Sequence, residues 1–373
     1  MKFNVPGKAL QTQLQAVSKV INSKNTMGIL DNFLLRVKDD VLTILGGDQE
    51  MQMTATLEIF DVDGEGAIAI GAKRLLEVVK EISNQPLTFD IDTDTGDVDL
   101  RFNNGHFNFM GLDATEYPPR AKNDPSAVEI KIPGDILAEG LETTIYGVST
   151  EIIRPVMTGI LIDIEPERMT CVSSDTRKLV KFETTKVVTG IETSFILPAK
   201  AANVLKGLID KDEEVTVTQD SKSATFTFGT YELFTRLIKG NYPLYRRVFP
   251  KNNPFRLVVS REGLLKAVRR CALFANQASS LIKFRIRPSE IQLNSQDLDT
   301  ATSAEERLDC DYEGKEMTIG LNYVHMIEML SNLKGEDVLV ELSDPARPGL
   351  FSPLEKVEGI DVVVLQMPMQ VVE

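Results

Sequence analysis

The stretch FDIDTDTGDVD, residues 89–99, has residue types that could hold a metal ion. Three of its aspartates alternate as the first ligands of a calcium-binding loop do: Asp90, Asp92 and Asp94. Such a loop needs glycine at its sixth position and glutamate at its twelfth. Here the seventh residue is the glycine, Gly96, and the twelfth is Arg101. The pattern therefore predicts a β-hairpin that turns at Gly96, and no metal site.

The other residues that could do chemistry are isolated from one another. His106 and His325 are the only two histidines, and neither has a cysteine or histidine nearby in the sequence. SSDTRKLV, residues 173–180, contains a Ser–Asp pair without a local base, which predicts a surface turn. We find neither a glycine-rich phosphate loop nor a nucleophile elbow. The sequence therefore predicts no catalytic residue and no cofactor, and a protein that is not an enzyme.

Three similar openings divide the chain: NVPGKALQTQLQAV from residue 4, KIPGDILAEGLETT from residue 131 and VVSREGLLKAVRRC from residue 258. They are 127 residues apart both times, from Val5 to Ile132 and from Ile132 to Val259. Aliphatic residues recur at matching offsets four residues apart: Leu10 and Leu14, Leu137 and Leu141, Leu264 and Val268. Because residues four apart share one helix face, each opening predicts the end of a strand followed by an amphipathic helix.

A weaker strand-to-helix pattern recurs inside each interval, at AIAIGAKRLLEVVKEI, SFILPAKAANVLKGLI and EMTIGLNYVHMIEML. Between the helices, alternating apolar and polar residues punctuated by Gly, Asn and Asp predict hairpins. We therefore predict an α+β protein of three repeated domains, each with two helices and paired antiparallel β-sheets. Polar, proline-containing segments at 121–129 and 250–256 set the boundaries, giving domains 1–125, 126–252 and 253–373.

Composition favours a cytoplasmic protein. No apolar run reaches the roughly 18 residues that a membrane-spanning helix needs. The start, MKFNVPGKAL, lacks the apolar core of a signal peptide. Three widely spaced cysteines, an odd number, argue for a reducing compartment: Cys171, Cys271 and Cys310.

The net charge of −14 argues against nucleic-acid binding only if the charge is evenly spread. The six predicted helices together carry +6, so the rest of the chain carries −20; the third helix, residues 133–150, is the exception at −3. Basic helices on an acidic body suit a protein that holds a polyanion on one surface and repels it elsewhere. No base-reading motif is present, which predicts contact with a nucleic-acid backbone, independent of sequence.

The chain as a whole resembles the bacterial sliding clamps, the beta subunits of DNA polymerase III. The resemblance rests on the order and spacing of MKFNV, DNFLLRV, LTILGGDQEM, SSDTRKLV, YPLYRRVFP, IGLNYVHMIEML and MPM over all three repeats. It implies three domains of one fold, and two chains closed head to tail into a ring around duplex DNA. The implied function is that of a DNA sliding clamp, a processivity factor that tethers the replicative polymerase by topology.

Helix packing favours a ring of two chains. Helices pack about 10 Å apart, so six helices lining a closed ring leave a hole of about 9 Å, and twelve leave about 28 Å. B-form DNA is about 20 Å across and passes only through the larger hole. One chain is therefore expected to form half of a closed ring.

The resemblance also implies three sets of site residues. A hydrophobic cleft between the second and third domains would bind short linear motifs of the polymerase catalytic subunit, the clamp loader, and repair and translesion proteins. Its positions are Arg154, Ser174, Thr176, Leu179, Pro243, Arg247, Val248, Pro348, Leu365, Met367, Pro368 and Met369. The implied DNA-facing residues are Lys24, Lys73 and Lys200. In the homodimer joint, Phe107 and Phe109 would face Leu273 and Phe274.

One segment of the cleft departs from the family pattern. Where sliding clamps commonly have Asp-Gly-His-Arg-Leu, this chain has Asp175-Thr176-Arg177-Lys178-Leu179. We expect the apolar floor to be kept. The rim should be bulkier and, through Arg177 and Lys178, more basic.

Two other functions stay open from the residues alone. A hydrolytic or metal-dependent enzyme on duplicated β-rich domains would need a cofactor site, which the sequence does not offer. A monomeric scaffold for protein partners would leave the basic helices unexplained.

Overall fold

A computed structural model describes residues 1–22, 25, 27–119 and 122–371 of the chain. Within these residues no helix is long and apolar enough to cross a bilayer. The chain forms two compact units: Met1–Ala138 with Asn203–Leu237, and Glu139–Ala202 with Ile238–Glu373. Each unit thus contains a terminal repeat and about half of the central one, and the three predicted domain boundaries stay a prediction.

Within the described residues six α-helices form, at the six predicted positions: α1 (Gly7–Ser18), α2 (Ala72–Ile82), α3 (Gly134–Thr144), α4 (Ala199–Lys206), α5 (Arg261–Ala272) and α6 (Tyr323–Asn332). The aliphatic residues that repeat in the three openings are all buried, which confirms the predicted helix faces. Side-chain caps define two of the starts. Ser260 Oγ accepts the N–H of Gly263 before α5, and Asn322 Oδ1 accepts the N–H groups of Val324 and His325 before α6.

Strands fill the rest of each repeat. The first repeat has β1 (Lys2–Pro6), β2 (Asn32–Lys38), β3 (Val41–Gly47), β4 (Met51–Glu58), β5 (Phe60–Asp63), β6 (Gly66–Gly71), β7 (Pro86–Ile91), β8 (Asp97–Phe102), β9 (Gly105–Met110) and β10 (Leu112–Asp113). The second has β11 (Val128–Pro133), β12 (Gly159–Glu165), β13 (Arg168–Ser174), β14 (Lys178–Thr184), β15 (Thr193–Pro198), β16 (Glu214–Gln219), β17 (Ser223–Phe228) and β18 (Tyr231–Arg236). The third has β19 (Phe255–Ser260), β20 (Leu281–Arg287), β21 (Glu290–Asp297), β22 (Thr302–Asp309), β23 (Asp311–Glu313), β24 (Met317–Asn322), β25 (Asp337–Leu342), β26 (Gly349–Pro353) and β27 (Ile360–Gln366).

Each unit contains one nine-stranded sheet and one smaller sheet. In the first unit the orders are β10-β6-β2-β3-β4-β18-β17-β16-β11 and β5-β1-β7-β8-β9. In the second they are β15-β12-β13-β14-β27-β26-β25-β19-β23 and β22-β21-β20-β24. All pairings between these strands are antiparallel, which confirms the predicted α+β class with paired antiparallel sheets.

The 127-residue interval also holds at the level of strand register. Leu34 of β2 pairs with Leu45 and with Ala69. Adding 127 to each number gives Leu161, Val172 and Ile196, and Leu161 pairs with the other two in the same way. The first two repeats therefore share one backbone frame, in which corresponding side chains can be compared directly.

The aspartate-rich segment forms the predicted hairpin between β7 and β8. Gly96 has a φ of +82°, in the left-handed region where glycine is favoured. Asp92 Oδ1 accepts the N–H groups of Asp94 and Thr95, at 2.9 and 3.2 Å. These hydrogen bonds lower the pKa of Asp92, because they stabilise its carboxylate form.

The core face of α1 gives a test of the fold. Leu14 is fully buried, whereas Thr12 is exposed on the same helix. We expect Leu14→Ala to lower the free energy of unfolding by about 2–5 kcal/mol, because it leaves a cavity. Thr12→Ala, the matched control, should change it by less than about 0.5 kcal/mol. Urea unfolding followed by far-ultraviolet circular dichroism measures both, and equal effects would contradict the assigned core face.

Candidate functional site

An apolar cluster, here called the cleft cluster, lies where β14 pairs with β27 in the second unit. Its buried members are Leu161, Val172, Leu179, Ile196, Tyr245 and Leu365. Leu179 and Leu365 are direct partners across the ladder. Two of the residues that the sequence assigned to a cleft are therefore brought together at this cluster.

Apolar side chains around the cleft cluster remain open to solvent. The 3₁₀-helix Tyr245–Arg247 turns Tyr245 into the cluster, and Val248, which follows it, is 52% exposed. Met367, just after β27, is 42% exposed, and its N–H donates to the carbonyl of Arg177 at 2.8 Å. Exposed apolar residues beside a buried apolar cluster form the kind of surface that binds an apolar ligand.

Polar contacts of Tyr245 and Arg246 hold the segment 243–248, which closes the cleft cluster. Tyr245 Oη donates to Asp163 Oδ2 at 3.1 Å, and burial raises the pKa of this tyrosine. Arg246 Nη2 lies 3.3 Å from Asp163 and 2.5 Å from Glu165. These contacts fix the backbone that carries Pro243, Arg247 and Val248, all three of which are exposed.

The turn between β13 and β14 forms another side of the cluster. Ser174 Oγ donates to the carbonyl of Lys178 at 2.8 Å and accepts the N–H of Thr176 at 3.1 Å. Asp175 Oδ1 accepts the N–H groups of Arg177 and Lys178, at 2.9 and 2.8 Å. Thr176 has a φ of +78°, which is strained for a β-branched residue. The side-chain hydrogen bonds around it hold the turn in this conformation.

The expectation that Lys178 adds charge to the rim is wrong. The side chain is 6% exposed, and its Nζ lies 2.5 Å from Glu328 Oε2 and 3.3 Å from Asp175 Oδ2. A buried ammonium needs such partners because desolvation of an unpaired charge is costly. Lys178 therefore ties the turn of the second repeat to α6 of the third.

His325 lies beside Asp175 in the folded chain, although it has no partner nearby in the sequence. Its Nε2 lies 3.5 Å from Asp175 Oδ2. Burial lowers the pKa of His325, and the charge of Lys178 lowers it further. The same carboxylate of Asp175 thus faces both Lys178 and His325.

Three arginines carry the positive charge that remains at the rim: Arg154, Arg177 and Arg247. All three are exposed. Each lies two positions from an apolar residue packed in or against the cleft cluster, namely Val156, Leu179 and Tyr245. In the described part of the chain no carboxylate forms an ion pair with any of them, whereas Lys178, Lys181 and Arg246 each pair with two carboxylates.

The last assigned cleft residues lie just before β26 and after β27. Pro348 precedes β26, and its carbonyl accepts a hydrogen bond from Asn253 Nδ2 at 3.2 Å. Pro368 and Met369 line a groove of about 780 Å³ with Gly320 and Ala346 of the third repeat. The N–H of Met369 donates to the carbonyl of Gly320 at 2.8 Å. Met367 therefore lies beside the cleft cluster, and Pro368 and Met369 continue into this groove.

The residues assigned to DNA lie on helices where they are described. Lys73 of α2 and Lys200 of α4 are exposed, and Lys24 lies outside the described residues. Some charges in the predicted helix set are already neutralised. Lys266 pairs with Glu262 within α5, and Glu139 of the acidic α3 pairs with Lys334.

The four residues assigned to a dimer joint are on strand β9 and at the end of α5. Phe107 and Phe109 lie opposite Leu100 and Val98 in the ladder, and Phe107 stacks on Phe102 at 5.1 Å between ring centroids. Leu273 is 81% exposed and Phe274 42%. These two follow α5, which is tied to β22 by the pair between Arg270 and Glu306.

Sequence reasoning missed part of the site. Leu161, Val172 and Tyr245 contribute to the cleft cluster without having been assigned to it. Their equivalence to Leu34 and Leu45, 127 positions earlier, is visible in the strand register, but no sequence signal marks Leu161 and Val172 as cleft residues. No sequence signal reveals that His325 and Glu328 lie beside Asp175 and Lys178, since these contacts span about 150 residues.

Relatives of known sequence match the chain along nearly its whole length. The beta sliding clamp of Bacillus subtilis is 25% identical over 363 residues, which cover 94% of this chain and 95% of the relative. The beta sliding clamp of Pseudomonas putida is 24% identical over 372 residues, covering 99% and 100%. The solved structure of a sliding clamp from Pseudomonas aeruginosa bound to griselimycin matches with a TM-score of 0.94 at 22% identity over the whole of both chains.

Family models cover the three repeats in order. The DNA polymerase III beta subunit N-terminal domain matches residues 1–121, the central domain 131–244 and the C-terminal domain 246–370. Together with the curated relatives, these matches establish that the chain belongs to the DNA polymerase III beta subunit family, the sliding clamps, which are non-catalytic processivity subunits of the polymerase.

Proposed function

We propose that two copies of this chain close head to tail into a ring around duplex DNA in the cytoplasm. The ring would tether the polymerase catalytic subunit, the clamp loader, and repair and translesion proteins by their short linear motifs. The motifs would bind at the cleft cluster, between the second and third domains of the predicted division. Contact with DNA would be independent of sequence, and the chain itself would carry out no chemistry.

The observation that carries the proposal is a strand pairing that recurs along the chain. The first half of each repeat forms a three-stranded meander: β2-β3-β4, β12-β13-β14 and β20-β21-β22. The second half forms another: β7-β8-β9, β16-β17-β18 and β25-β26-β27. The third strand of a first half pairs with the third strand of the next repeat's second half, as β4 with β18 and β14 with β27.

By this rule two strands are left over. In the described part of the chain, β22 of the last repeat pairs only with β21, and β9 of the first repeat pairs only with β8. Unpaired strand edges are sites at which another chain adds. Pairing β22 of one chain with β9 of the next repeats the joint already used twice within the chain, and two copies close the circle.

Apolar residues beside these edges support the same joint. Phe107 and Phe109 lie on β9, and Leu273 and Phe274 follow the helix that is tied to β22. Such side chains gain about 1.5–3 kcal/mol each when they are fully buried. A continuous ladder with an apolar contact beside it would hold the two chains together.

The joint is tested by Leu273→Ala with Phe274→Ala. We expect monomers at micromolar concentration in sedimentation velocity, because the apolar contact is lost while the core is untouched. The matched control is Val188→Ala, which removes a 73% exposed aliphatic side chain distant in sequence from both edges. A stable dimer in the double variant would place the joint elsewhere.

The DNA surface is tested by Lys24→Glu with Lys73→Glu. Fewer basic residues near phosphates release fewer counterions, so retention on nicked circular DNA should fall and depend less on salt. The dimer should persist. Lys38→Glu makes the same kind of charge change on strand β2 rather than on a helix, and it should leave retention unchanged. Equal loss in Lys38→Glu would show a general charge effect and contradict the assigned surface.

The cleft is tested by deleting residues 367–373. This removes Met367 and the Pro368–Met369 segment but leaves β27 whole. We expect the loss of binding of a labelled peptide with a glutamine anchor and apolar residues, because a few buried contacts dominate such interfaces. The truncated protein should still be a dimer retained on circular DNA. Undiminished peptide binding would refute the cleft without touching the ring.

The exposed arginines of the rim predict one feature of the ligand. Acidic residues flanking the peptide should raise its affinity, and added salt should remove that gain because these charges are solvent-exposed. Arg177→Gln tests it, with Lys38→Gln as the matched loss of one surface cation. If an acidic and a neutral peptide bind the wild-type chain equally well, the rim does not select charge.

A further inference from the structure

We propose that the first unit carries a second binding pocket, on the β2-β3-β4 face beside residues 114–119. Its ligand would be a peptide segment in which an apolar side chain neighbours a carboxylate. The pocket is separate from the cleft cluster and does not depend on it.

The pocket lies on strands of the first repeat that correspond, 127 positions earlier, to the strands that carry the cleft cluster. A small buried cluster, the N-terminal cluster, consists of Ile29, Leu30, Leu34, Leu45, Ala69 and Tyr117. Its residues Leu34, Leu45 and Ala69 correspond, 127 positions on, to Leu161, Val172 and Ile196 of the cleft cluster. A tyrosine from the segment that ends the repeat closes both clusters, Tyr117 in one and Tyr245 in the other.

A cavity of about 130 Å³ opens beside the N-terminal cluster. Leu34, Leu45 and Tyr117 form its apolar part, with Pro118 and Pro119 along one wall. Tyr117 Oη donates to the carbonyl of Asn32 at 3.4 Å, so the ring is held in place. Proline fixes its own backbone φ, so this wall loses little freedom when a ligand binds. The space suits one apolar side chain.

The charge of Arg36, at the wall of the cavity, indicates the second part of the ligand, which is the carboxylate. Arg36 lines the cavity and is exposed, and in the described part of the chain it forms no ion pair with a carboxylate. The corresponding residue 127 positions on is Asp163, which is neutralised by Arg246 and accepts a hydrogen bond from Tyr245. At the cleft cluster the chain supplies its own counter-charge. At the N-terminal cluster Arg36 is left exposed at the cavity wall, where a ligand carboxylate could pair with it.

Arginine selects the chemistry of that ligand. Its planar guanidinium binds a carboxylate through two parallel hydrogen bonds. Nucleic acid fits this site less well, because backbone binding uses several phosphates at once. Among the described residues that line the cavity, Arg36 alone carries a full charge, and the others are apolar or present the hydroxyls of Thr43 and Thr54.

The test is a titration of the full-length protein, labelled with ¹³C at Leu and Thr methyl groups, with acetyl-Gly-Leu-Asp-Gly-amide. We expect saturable shifts at Leu34, Leu45 and Thr54. Acetyl-Gly-Leu-Asn-Gly-amide should bind at least about fivefold more weakly, as should the original peptide to Arg36→Gln, because each change removes a charged hydrogen-bonding partner. Lys38→Gln, the same loss of charge two residues along β2, should bind within about twofold of wild type.

Three results would overturn the proposal. The first is equal affinity for the two peptides or for Arg36→Gln and wild type. The second is a set of shifts confined to Leu179 and Leu365, which would mean that the peptide uses the cleft alone. The third is stronger binding of a short DNA duplex at the same methyl groups. The chain lacking residues 367–373 should keep this pocket, so its failure and failure of the cleft can be told apart.

Discussion

Antiparallel pairing between the third strand of one repeat's first half and the third strand of the next repeat's second half is the constraint on which the rest of the structure depends. Buried backbone N–H and C=O groups must find partners, and an open strand edge invites association with other chains. The β4–β18 and β14–β27 ladders meet this requirement inside the chain. They also set the register: a slip of one residue would turn Leu179 and Leu365 to the other face of the sheet. The apolar floor of the cleft cluster therefore follows from a backbone ladder.

Buried charge also holds the β14–β27 joint in one arrangement, at the turn that precedes β14. Lys178 begins β14, and its ammonium is paired with Asp175 of the preceding turn and with Glu328 of α6. Such a group contributes little net stability, but removing one partner leaves an uncompensated buried charge. Its structural effect is to keep the strained turn at Thr176 and the helix of the third repeat in one arrangement. That arrangement positions the exposed side chain of Arg177. It also positions the Arg177 carbonyl, which accepts a hydrogen bond from the N–H of Met367.

The sequence predicted the repeating parts of this structure and missed the contacts made between them. Periodicity identified all six helices, and Leu10, Leu137 and Leu264 mark the buried faces of α1, α3 and α5, because helix spacing is a local property. The hairpin at Gly96 was equally local. Lys178 was misplaced because its burial depends on Glu328, 150 residues away, and a charged residue beside an arginine reads as solvated surface. Leu179 and Leu365 were assigned through family resemblance, since neither has a distinctive spacing.

The first joint, β4–β18, and the second joint, β14–β27, have the same strand arrangement but carry different side chains. This difference in side chains accounts for the different surfaces beside the two joints. At the second joint Leu179 faces Leu365, so apolar contact continues across the ladder and the floor is wide. The residue 127 positions before Leu179 is Gln52, which is buried and faces Phe234. A buried amide must be hydrogen-bonded, which interrupts the apolar floor at that point. The cavity on this side of the first unit is lined by Leu34, Leu45 and Tyr117, with Thr54 of β4. Both joints have the same kind of backbone ladder, because its hydrogen bonds tolerate many side chains, whereas the two apolar floors differ.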